Sequence, residues 1–157
     1  MPYSRHLSLF QIDIHQQQGF LNMTQKLTGG CLCGAVEFSV NDEFKAFYQC
    51  HCKQCQKITG TAFASNIITA LENIQWHKGK SNVTEYDHPT RAFSKSFCTL
   101  CGSALPFVNK AKTSLIVPAG SLNELPTLQP QANIFASEEA AWFKAGSLAE
   151  RFTGFVD

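Results

Sequence analysis

Residues 30–34 read Gly30-Cys31-Leu32-Cys33-Gly34, and residues 98–102 read Cys98-Thr99-Leu100-Cys101-Gly102. Such short C-x-C and C-x-x-C turns bring two sulfurs within roughly 4 Å of each other, so that both can bind one tetrahedral Zn²⁺. Because 65 residues separate Cys33 from Cys98, an ion bound by both pairs would tie two distant strands together. We therefore expect a closed, structural four-thiolate zinc site formed by Cys31, Cys33, Cys98 and Cys101.

The other three of the seven cysteines lie in one run, Cys50-His51-Cys52-Lys53-Gln54-Cys55. Cys50 is expected to end a strand, and Cys52 and Cys55 are spaced i, i+3 at the start of a short helix, so all three sulfurs can face one ion. That end of a helix favours the thiolate form. Three protein ligands leave a fourth position open for a soft donor such as a substrate thiol. We predict a second, catalytic zinc at Cys50, Cys52 and Cys55, with His51 as a hydrogen-bonding or substrate-facing residue.

Other interpretations of the cysteines stay open. A disulfide framework is disfavoured, because the count of seven is odd and residues two apart are poorly placed to bridge. The three-cysteine run could instead be a second structural zinc site, completed by His51 or a distant histidine. It could also be a metal-free redox dithiol that uses Cys52 and Cys55.

Composition restricts the possible partners. The chain has 157 residues, of which 44% are hydrophobic, enough for one domain with a packed core. The net charge is +1 and the cations are scattered along the sequence, so no basic surface for binding nucleic acid is expected. A small anion could still be held by Lys53, Lys57, Arg91 and Lys95. The sequence has neither an apolar run of the ~18 residues typical of a membrane span nor the apolar region of a signal peptide. We expect a cytoplasmic protein without membrane partners, in a reducing compartment where cysteine clusters bind metal.

The amino-acid composition of the sequence changes near Met23. Residues 1–22 are rich in glutamine and contain no cysteine, and we expect an N-terminal extension there, with Met23 as an alternative start. Residues 23–157 would then form the zinc-binding domain. The competing interpretation is that residues 7–14 form an ordered strand or short helix that packs on this domain.

Short runs rich in β-formers, separated by glycine, asparagine, aspartate or proline, predict strands at 35–40, 44–48, 63–68, 82–86, 91–97, 104–108 and 115–117. One helix is predicted over 52–59, ended by Gly60, and a second over 137–145, with Ser137 as N-cap and Gly146 as the stop. The fold class is therefore mainly β, with antiparallel sheets and one or two short helices.

Three motifs resemble those of the glutathione-dependent formaldehyde-activating enzyme family, which also includes centromere protein V. The motifs are Gly29-Gly30-Cys31-Leu32-Cys33-Gly34-Ala35-Val36, Cys50-His51-Cys52-x-x-Cys55-x-x-x-Thr59-Gly60-x-x-Phe63 and Phe97-Cys98-x-x-Cys101-Gly102-x-x-Leu105. Residues 119–123 and 134–143 extend the resemblance, which spans Thr24 to Phe143. It implies several coiled β-sheets stapled by zinc, of the Mss4-like type, and the same division into four plus three cysteines. It also implies a small-molecule thiol partner such as glutathione. Asn133 departs from the pattern, since the family usually has histidine there.

Three functions from different classes follow. The first is a zinc-dependent carbon–sulfur lyase that acts on a small thiol adduct such as S-hydroxymethylglutathione, with two zincs per chain and with Phe63, Trp142 or Phe143 lining the pocket. The second is a non-catalytic, zinc-stabilised binding module. The third is a thiol redox protein of the sulfoxide-reductase-like type.

Overall fold

The structure is a computed structural model that describes residues 24–155. The expectations for residues 1–22 therefore lie outside the described residues. Within the described range the chain is mainly β, as predicted, with eleven strands in three sheets and two short α-helices. In chain order the elements are β1 (Lys26–Gly30), β2 (Glu37–Asn41), β3 (Ala46–Cys50), α1 (Lys53–Thr59), β4 (Ala64–Thr69), β5 (Gln75–Lys78), β6 (Val83–Asp87), β7 (Ser94–Cys98), β8 (Ala104–Leu105), β9 (Phe107–Val108), β10 (Leu115–Pro118), β11 (Ala132–Ile134) and α2 (Phe143–Ser147).

The first and third sheets each have three strands and together carry the four-cysteine motifs. The first has the order β1-β2-β5 and the third β6-β7-β8, and all of their pairings are antiparallel. Leu27 lies opposite Val40 in the first sheet, and Val83 lies opposite Cys98 in the third. The first cysteine pair follows β1 directly, and β7 ends on Cys98.

The second sheet carries the three-cysteine run and has the strand order β11-β3-β4-β10-β9. β11 pairs with β3 in parallel, with Ile134 opposite Cys50, and the other neighbours in this sheet are antiparallel. The sheets are thus antiparallel as predicted, and this edge is the one parallel pairing among the described strands. The parallel pairing brings a segment more than 80 residues further along the chain against the strand that ends in Cys50.

A core of buried apolar side chains joins the first two sheets to the four-cysteine site. It contains Cys31 and Cys98 as well as Leu27, Val36, Phe38, Val40, Phe47, Ile67, Leu105, Leu115 and Val117. Cys50, Cys52, Cys55 and Ala64 form a separate small cluster, against which Phe93 and Ile134 pack. The two groups of cysteines thus lie in different packing environments.

The predicted strands are confirmed to within a few residues, with one exception. The stretch 104–108 forms two short strands, β8 and β9, which are separated by Pro106 and belong to different sheets. Proline has no amide hydrogen to donate, so the run cannot continue as one regular strand in a sheet. β1, β5 and β11 were not predicted, because they are short and contain glycine or polar residues.

The first predicted helix is confirmed and the second is wrong. Gly60 ends α1 in a left-handed conformation, with φ of 68°. In place of a helix over 137–145, a 3₁₀ turn spans Ala136–Glu138, the chain is extended at Glu139, and α2 begins at Phe143 and continues through Gly146. Contacts from α1 keep the turn at Glu138 from continuing as an α-helix, because the Glu138 carboxylate accepts from the Lys53 amide and its carbonyl accepts from the Gln56 side chain.

The described part of the chain, from residue 24 to 155, has no helix that is long and apolar enough to cross a bilayer.

Candidate metal centres

Four cysteines from two distant parts of the chain meet at one point. The sulfurs of Cys31, Cys33, Cys98 and Cys101 all lie within 4.8 Å of one another. Cys31 Sγ is 3.5 Å from Cys33 Sγ, which in turn is 3.9 Å from Cys98 Sγ. In a tetrahedral site with Zn–S bonds of about 2.3 Å the sulfurs are about 3.8 Å apart. The donor set and its spacing therefore fit a closed four-thiolate zinc site.

Tight turns position these sulfurs. The Cys31 amide donates to the Val36 carbonyl at 3.1 Å, and the Val36 amide donates to Cys31 Sγ at 3.2 Å. On the other side, Gly102 has a φ of 74° and donates its amide to the Cys98 carbonyl at 2.9 Å. Glycine adopts this left-handed conformation without the steric cost that a Cβ would add.

Ser103 links the two halves of the four-cysteine cluster, and the sequence analysis did not identify it. Its Oγ accepts from the Leu32 amide at 3.0 Å and lies 3.3 Å from Cys101 Sγ. Hydrogen bonds from the Ser103 hydroxyl and amide lower the pKa of Cys101 to about 6. Its position directly after Cys101-Gly102 was the available signal, because amides and hydroxyls beyond such a turn point back towards the sulfurs.

The thiols of this cluster differ in pKa. Burial raises the pKa of Cys31, but hydrogen bonds from the Val36 amide and from Cys33 outweigh it, and the net pKa is lowered. The Ala35 amide lowers the pKa of Cys33, whereas hydrogen bonds with Cys31 and Cys101 raise it, and the result is about 11. Four sulfurs this close cannot all ionise unless a cation offsets their charge. A bound metal would displace the protons that remain.

The three-cysteine cluster forms where β3 passes into α1. Cys50 ends β3, Cys52 is the N-cap of α1, and Cys55 lies in its first turn. The Cys55 amide donates to Cys52 Sγ at 3.4 Å, which is a normal N-cap contact with sulfur as the acceptor. The three sulfurs lie within 4.8 Å of one another, and each cysteine is only 6–7% exposed.

This cluster has an incomplete ligand set. Within residues 24–155 no histidine, aspartate or glutamate joins the three sulfurs. Burial raises the pKa of Cys50 and of Cys55, and for Cys55 the neighbouring Cys52 and Cys50 raise it further. Burial here therefore outweighs the helix N-terminus, which was expected to favour the thiolate form, and ionisation of Cys50 and Cys55 would need a cation close by. The three sulfurs fit a zinc site with one open position.

His51 points to the other side of this segment and not to the sulfurs. Its ring packs against Phe63 and Phe143, with centroids 5.3 and 5.0 Å away. Its Nε2 lies 3.1 Å from Asn133 Oδ1. Nδ1 is buried and has no hydrogen-bond partner among the described residues.

The aromatic residues expected to line a pocket differ in their placement. Phe63 and Phe143 contact each other, with centroids 5.4 Å apart, and together they cover His51. Trp142 is 61% exposed and makes no aromatic contact in the described part of the chain. Phe93, which the sequence analysis did not identify, packs directly on the cysteine cluster. It had no distinguishing signal, because a single phenylalanine in a strand-like run is typical of ordinary core packing.

The four cations expected to hold a small anion separate into two sets. Lys53, Lys57 and Arg91 line one groove. Lys95 is instead 5% exposed, with its Nζ 4.9 Å from the centroid of Phe107. Burial lowers the pKa of Lys95, and the charge of Cys55 opposes that shift. Lys95 therefore lies close enough to the three-cysteine cluster for the charge of Cys55 to act on it.

A larger cavity, of about 660 Å³, adjoins the four-cysteine cluster and is lined by Cys31, Glu37, Ser121 and Asn123 together with several glycines. A closed site of four thiolates has no coordination position for a substrate. We therefore take the three-cysteine cluster as the candidate active site, although its cysteines do not line that cavity and the smaller groove of Lys53, Lys57 and Arg91 meets the cluster through Phe93.

The known proteins that are similar to this chain include one relative and one solved structure. A protein of Halomonas elongata, provisionally named a glutathione-dependent formaldehyde-activating enzyme, is 26% identical over 140 residues, which cover 83% of this chain and 89% of that protein. The crystal structure of a Rhodobacter sphaeroides protein, a structural genomics target, superposes with a TM-score of 0.53 at 24% identity. That match covers 68% of this chain and 98% of the other, and it shows that the fold is shared.

A family model also matches most of the chain. The model of the family described as glutathione-dependent formaldehyde-activating enzyme matches residues 26–138. That range contains all seven cysteines, and so both clusters. The chain belongs to the glutathione-dependent formaldehyde-activating enzyme family.

Proposed function

We propose that this protein is a zinc-dependent carbon–sulfur lyase that acts on a small thiol adduct of the S-hydroxymethylglutathione kind. The observation that carries the proposal is the contrast between the two clusters. One has four cysteine ligands, and the other has three with no further ligand among residues 24–155. In this proposal the first binds a structural zinc and the second a catalytic zinc.

The chemistry requires a thiol that is held as a thiolate. A zinc ion bound by Cys50, Cys52 and Cys55 would supply a fourth position that favours sulfur and keeps it ionised. In the cleavage direction the C–S bond of HO–CH₂–S–R breaks, and its electron pair goes to sulfur. The hydroxyl proton is released to bulk solvent, and formaldehyde and the thiolate are the products. The reverse reaction forms the same bond from the thiolate and formaldehyde.

The surrounding side chains orient the ligands and exclude water. Phe93 and Ile134 pack over the cysteine cluster, and a dry site strengthens the electrostatic interactions within it. His51 connects the cysteine segment to β11 through Asn133 and to α2 through Phe143. We propose that His51 acts as a positioning residue, because its ring lies away from the sulfurs. Asparagine does not titrate, so the Asn133 side chain holds the imidazole without exchanging a proton.

The test is the rate at which glutathione and ¹³C-formaldehyde exchange with their adduct, measured by NMR exchange spectroscopy. The zinc-loaded protein should accelerate the exchange at least about tenfold over buffer, a barrier reduction of roughly 1.4 kcal/mol. Cys52→Ser should return the rate to that of buffer, and Lys45→Gln, at an exposed position outside both clusters, should not change it. An exchange rate equal to that of buffer for the wild-type protein with full zinc content would refute the lyase function.

A further inference from the structure

A lysine is buried in the middle of the third sheet. Lys95 lies on β7, the central strand, with Tyr86 opposite it on β6. Its side chain is only 5% exposed, and its Nζ lies 4.9 Å from the centroid of the Phe107 ring. Lysine is almost never fully buried in a protein unless an acidic group pairs with it. The surroundings of the Lys95 amine therefore decide whether this residue has a chemical role.

No acidic side chain among residues 24–155 forms an ion pair with Lys95. Glu85 and Asp87 on β6 line the same small cavity as Lys95, but the Asp87 carboxylate accepts from the Ser94 hydroxyl instead. The other titratable groups around Lys95 are Cys55, Tyr86, Lys110 and Lys112. A protonated Lys95 would therefore bury its charge without an ion-paired carboxylate.

Burial favours the neutral amine at this position. It lowers the pKa of Lys95, and the charge of Cys55 only partly offsets that shift. An exposed lysine, with a pKa of about 10.4, is neutral in fewer than about one molecule in a thousand at pH 7. Each unit by which the pKa falls raises that fraction about tenfold. Because only the neutral amine has a lone pair for nucleophilic attack, Lys95 is more reactive than an exposed lysine toward an electrophile that reaches it.

A small cavity gives the Lys95 amine room for one reaction partner. The cavity has a volume of about 80 Å³, and its lining includes Lys95, Ser96, Phe107 and Asn109. One water molecule needs about 10–15 Å³ of such volume, so the cavity holds a molecule with a few non-hydrogen atoms but not a peptide-sized thiol. Its size therefore favours small electrophiles such as one-carbon aldehydes.

A second polar group that lines this cavity has no partner. The Ser96 side chain is 1% exposed, and its Oγ is buried without a hydrogen-bond partner among the described residues. A buried hydroxyl without a partner destabilises a fold, and a ligand oxygen in the cavity would supply the missing hydrogen bond. An amine and an unpaired hydroxyl in one cavity are the two groups that an aldehyde adduct requires, since one bonds to carbon and the other contacts oxygen.

Lys95 also lies near the three-cysteine cluster. Phe93, two residues before Lys95, packs on that cluster, and the charge of Cys55 acts on the Lys95 amine. Formaldehyde held reversibly on Lys95 would therefore be released close to the cluster that the proposed function assigns to the thiol.

We infer that Lys95 is a covalent, reversible binding site for formaldehyde and similarly small aldehydes, with Ser96 as the hydrogen-bond partner of the aldehyde oxygen. The Lys95 Nζ lone pair attacks the carbonyl carbon, and a C–N bond forms while the electron pair of the C=O π bond moves to oxygen. That oxygen takes up a proton and the nitrogen loses one, which gives the carbinolamine. Protonation of its hydroxyl by solvent and loss of water give the iminium, and addition of water reverses these steps. The choice of formaldehyde rests on the proposed function, whereas capture of small aldehydes by Lys95 needs neither zinc nor a thiol.

Reductive trapping measures the reactivity of Lys95 directly. The zinc-loaded protein is incubated at pH 7 with a substoichiometric amount of ¹³C-formaldehyde and with sodium cyanoborohydride, whose hydride reduces the iminium to N-methyllysine. Peptide mass mapping then gives the labelling rate of each lysine. Lys95 should be labelled at least about tenfold faster than the exposed Lys45 of the same sample. This ratio should fall as the pH rises to about 10, where exposed lysines also lose their protons.

Two controls test the cavity. Benzaldehyde with the same reductant should label Lys45 but not Lys95, because its ring does not fit a cavity of about 80 Å³. Ser96→Ala should slow the labelling of Lys95 by formaldehyde about two- to tenfold, the effect of one hydrogen bond. Ser65→Ala, on β4 and outside this cavity, should leave that rate unchanged.

The aldehyde site and the lyase function fail in different ways. If formaldehyde labels Lys95 no faster than Lys45 at pH 7, or if benzaldehyde labels both equally, Lys95 is not an aldehyde site. If Lys95 is labelled as expected but the exchange of formaldehyde with glutathione is not accelerated, the aldehyde site is confirmed and the lyase function is refuted. Accelerated exchange without preferential labelling of Lys95 would confirm the lyase function and refute the aldehyde site.

Discussion

Cys98→Ser should abolish the cooperatively folded domain. Cys98 is completely buried, belongs to the main core, and has its sulfur 3.9 Å from that of Cys33, 65 residues earlier in the chain. A structural zinc contributes binding free energy of order 10 kcal/mol to folding, whereas typical domains are stable by about 5–15 kcal/mol. Loss of this site therefore removes most or all of the stability. The variant should be insoluble, or soluble with no sharp thermal transition in circular dichroism.

The neighbouring Thr99 provides the matched control, because it is exposed and lies between the two cysteines of the pair. Thr99→Ser should keep the wild-type melting temperature and zinc content. A soluble Cys98→Ser protein with the wild-type melting temperature and full zinc content would show that these four cysteines do not form a structural metal site.

Cys55→Ala should have the opposite effect, with loss of one zinc and retention of the fold. Cys55 belongs to a small cluster apart from the main core, and truncation of its side chain leaves a void of about one atom, which costs about 1 kcal/mol. The variant also no longer buries a group whose raised pKa opposes ionisation. We expect about one zinc per chain instead of two, a cooperative transition close to that of the wild-type protein, and no acceleration of the formaldehyde exchange.

Cobalt substitution tests the same site spectroscopically. In the wild-type protein, glutathione should add a sulfur ligand and strengthen the thiolate-to-cobalt absorption, whereas Cys55→Ala should show no such response. Gln54→Ala, at the preceding position on α1, should respond as the wild-type protein does. Two metal ions retained in Cys55→Ala, or a wild-type spectrum that thiols do not change, would favour a non-catalytic zinc-binding module.

The sequence predicted features that depend on local chemistry. The division of the cysteines into four and three follows from ligand spacing, and the structure brings together the same two sets of sulfurs. A short run rich in β-formers located β4 to within one residue, and the glycine at position 60 located the end of α1. Each of these signals lies within a few residues of the feature that it predicts.

The features that the sequence did not predict depend on contacts between distant residues. The parallel pairing of Ile134 with Cys50 and the packing of Phe93 on the cysteine cluster have no local signature. The same applies to Glu138. The N-cap pattern at Ser137 predicts a helix there, but hydrogen bonds from Lys53 and Gln56 on α1 to Glu138 prevent it. Tertiary contacts such as these override helix propensity, because propensities amount to only a few tenths of a kcal/mol per residue.

The central claim is that one chain holds two metal ions, one in a closed site of four thiolates and one in an open site of three. Metal analysis of the wild-type protein, purified without chelator, tests it most directly. We predict about two zinc ions per chain, with all seven cysteines slow to react with a thiol reagent until the protein is unfolded with a chelator present. One zinc ion per chain, with three cysteines that react rapidly in the folded protein, would contradict the claim.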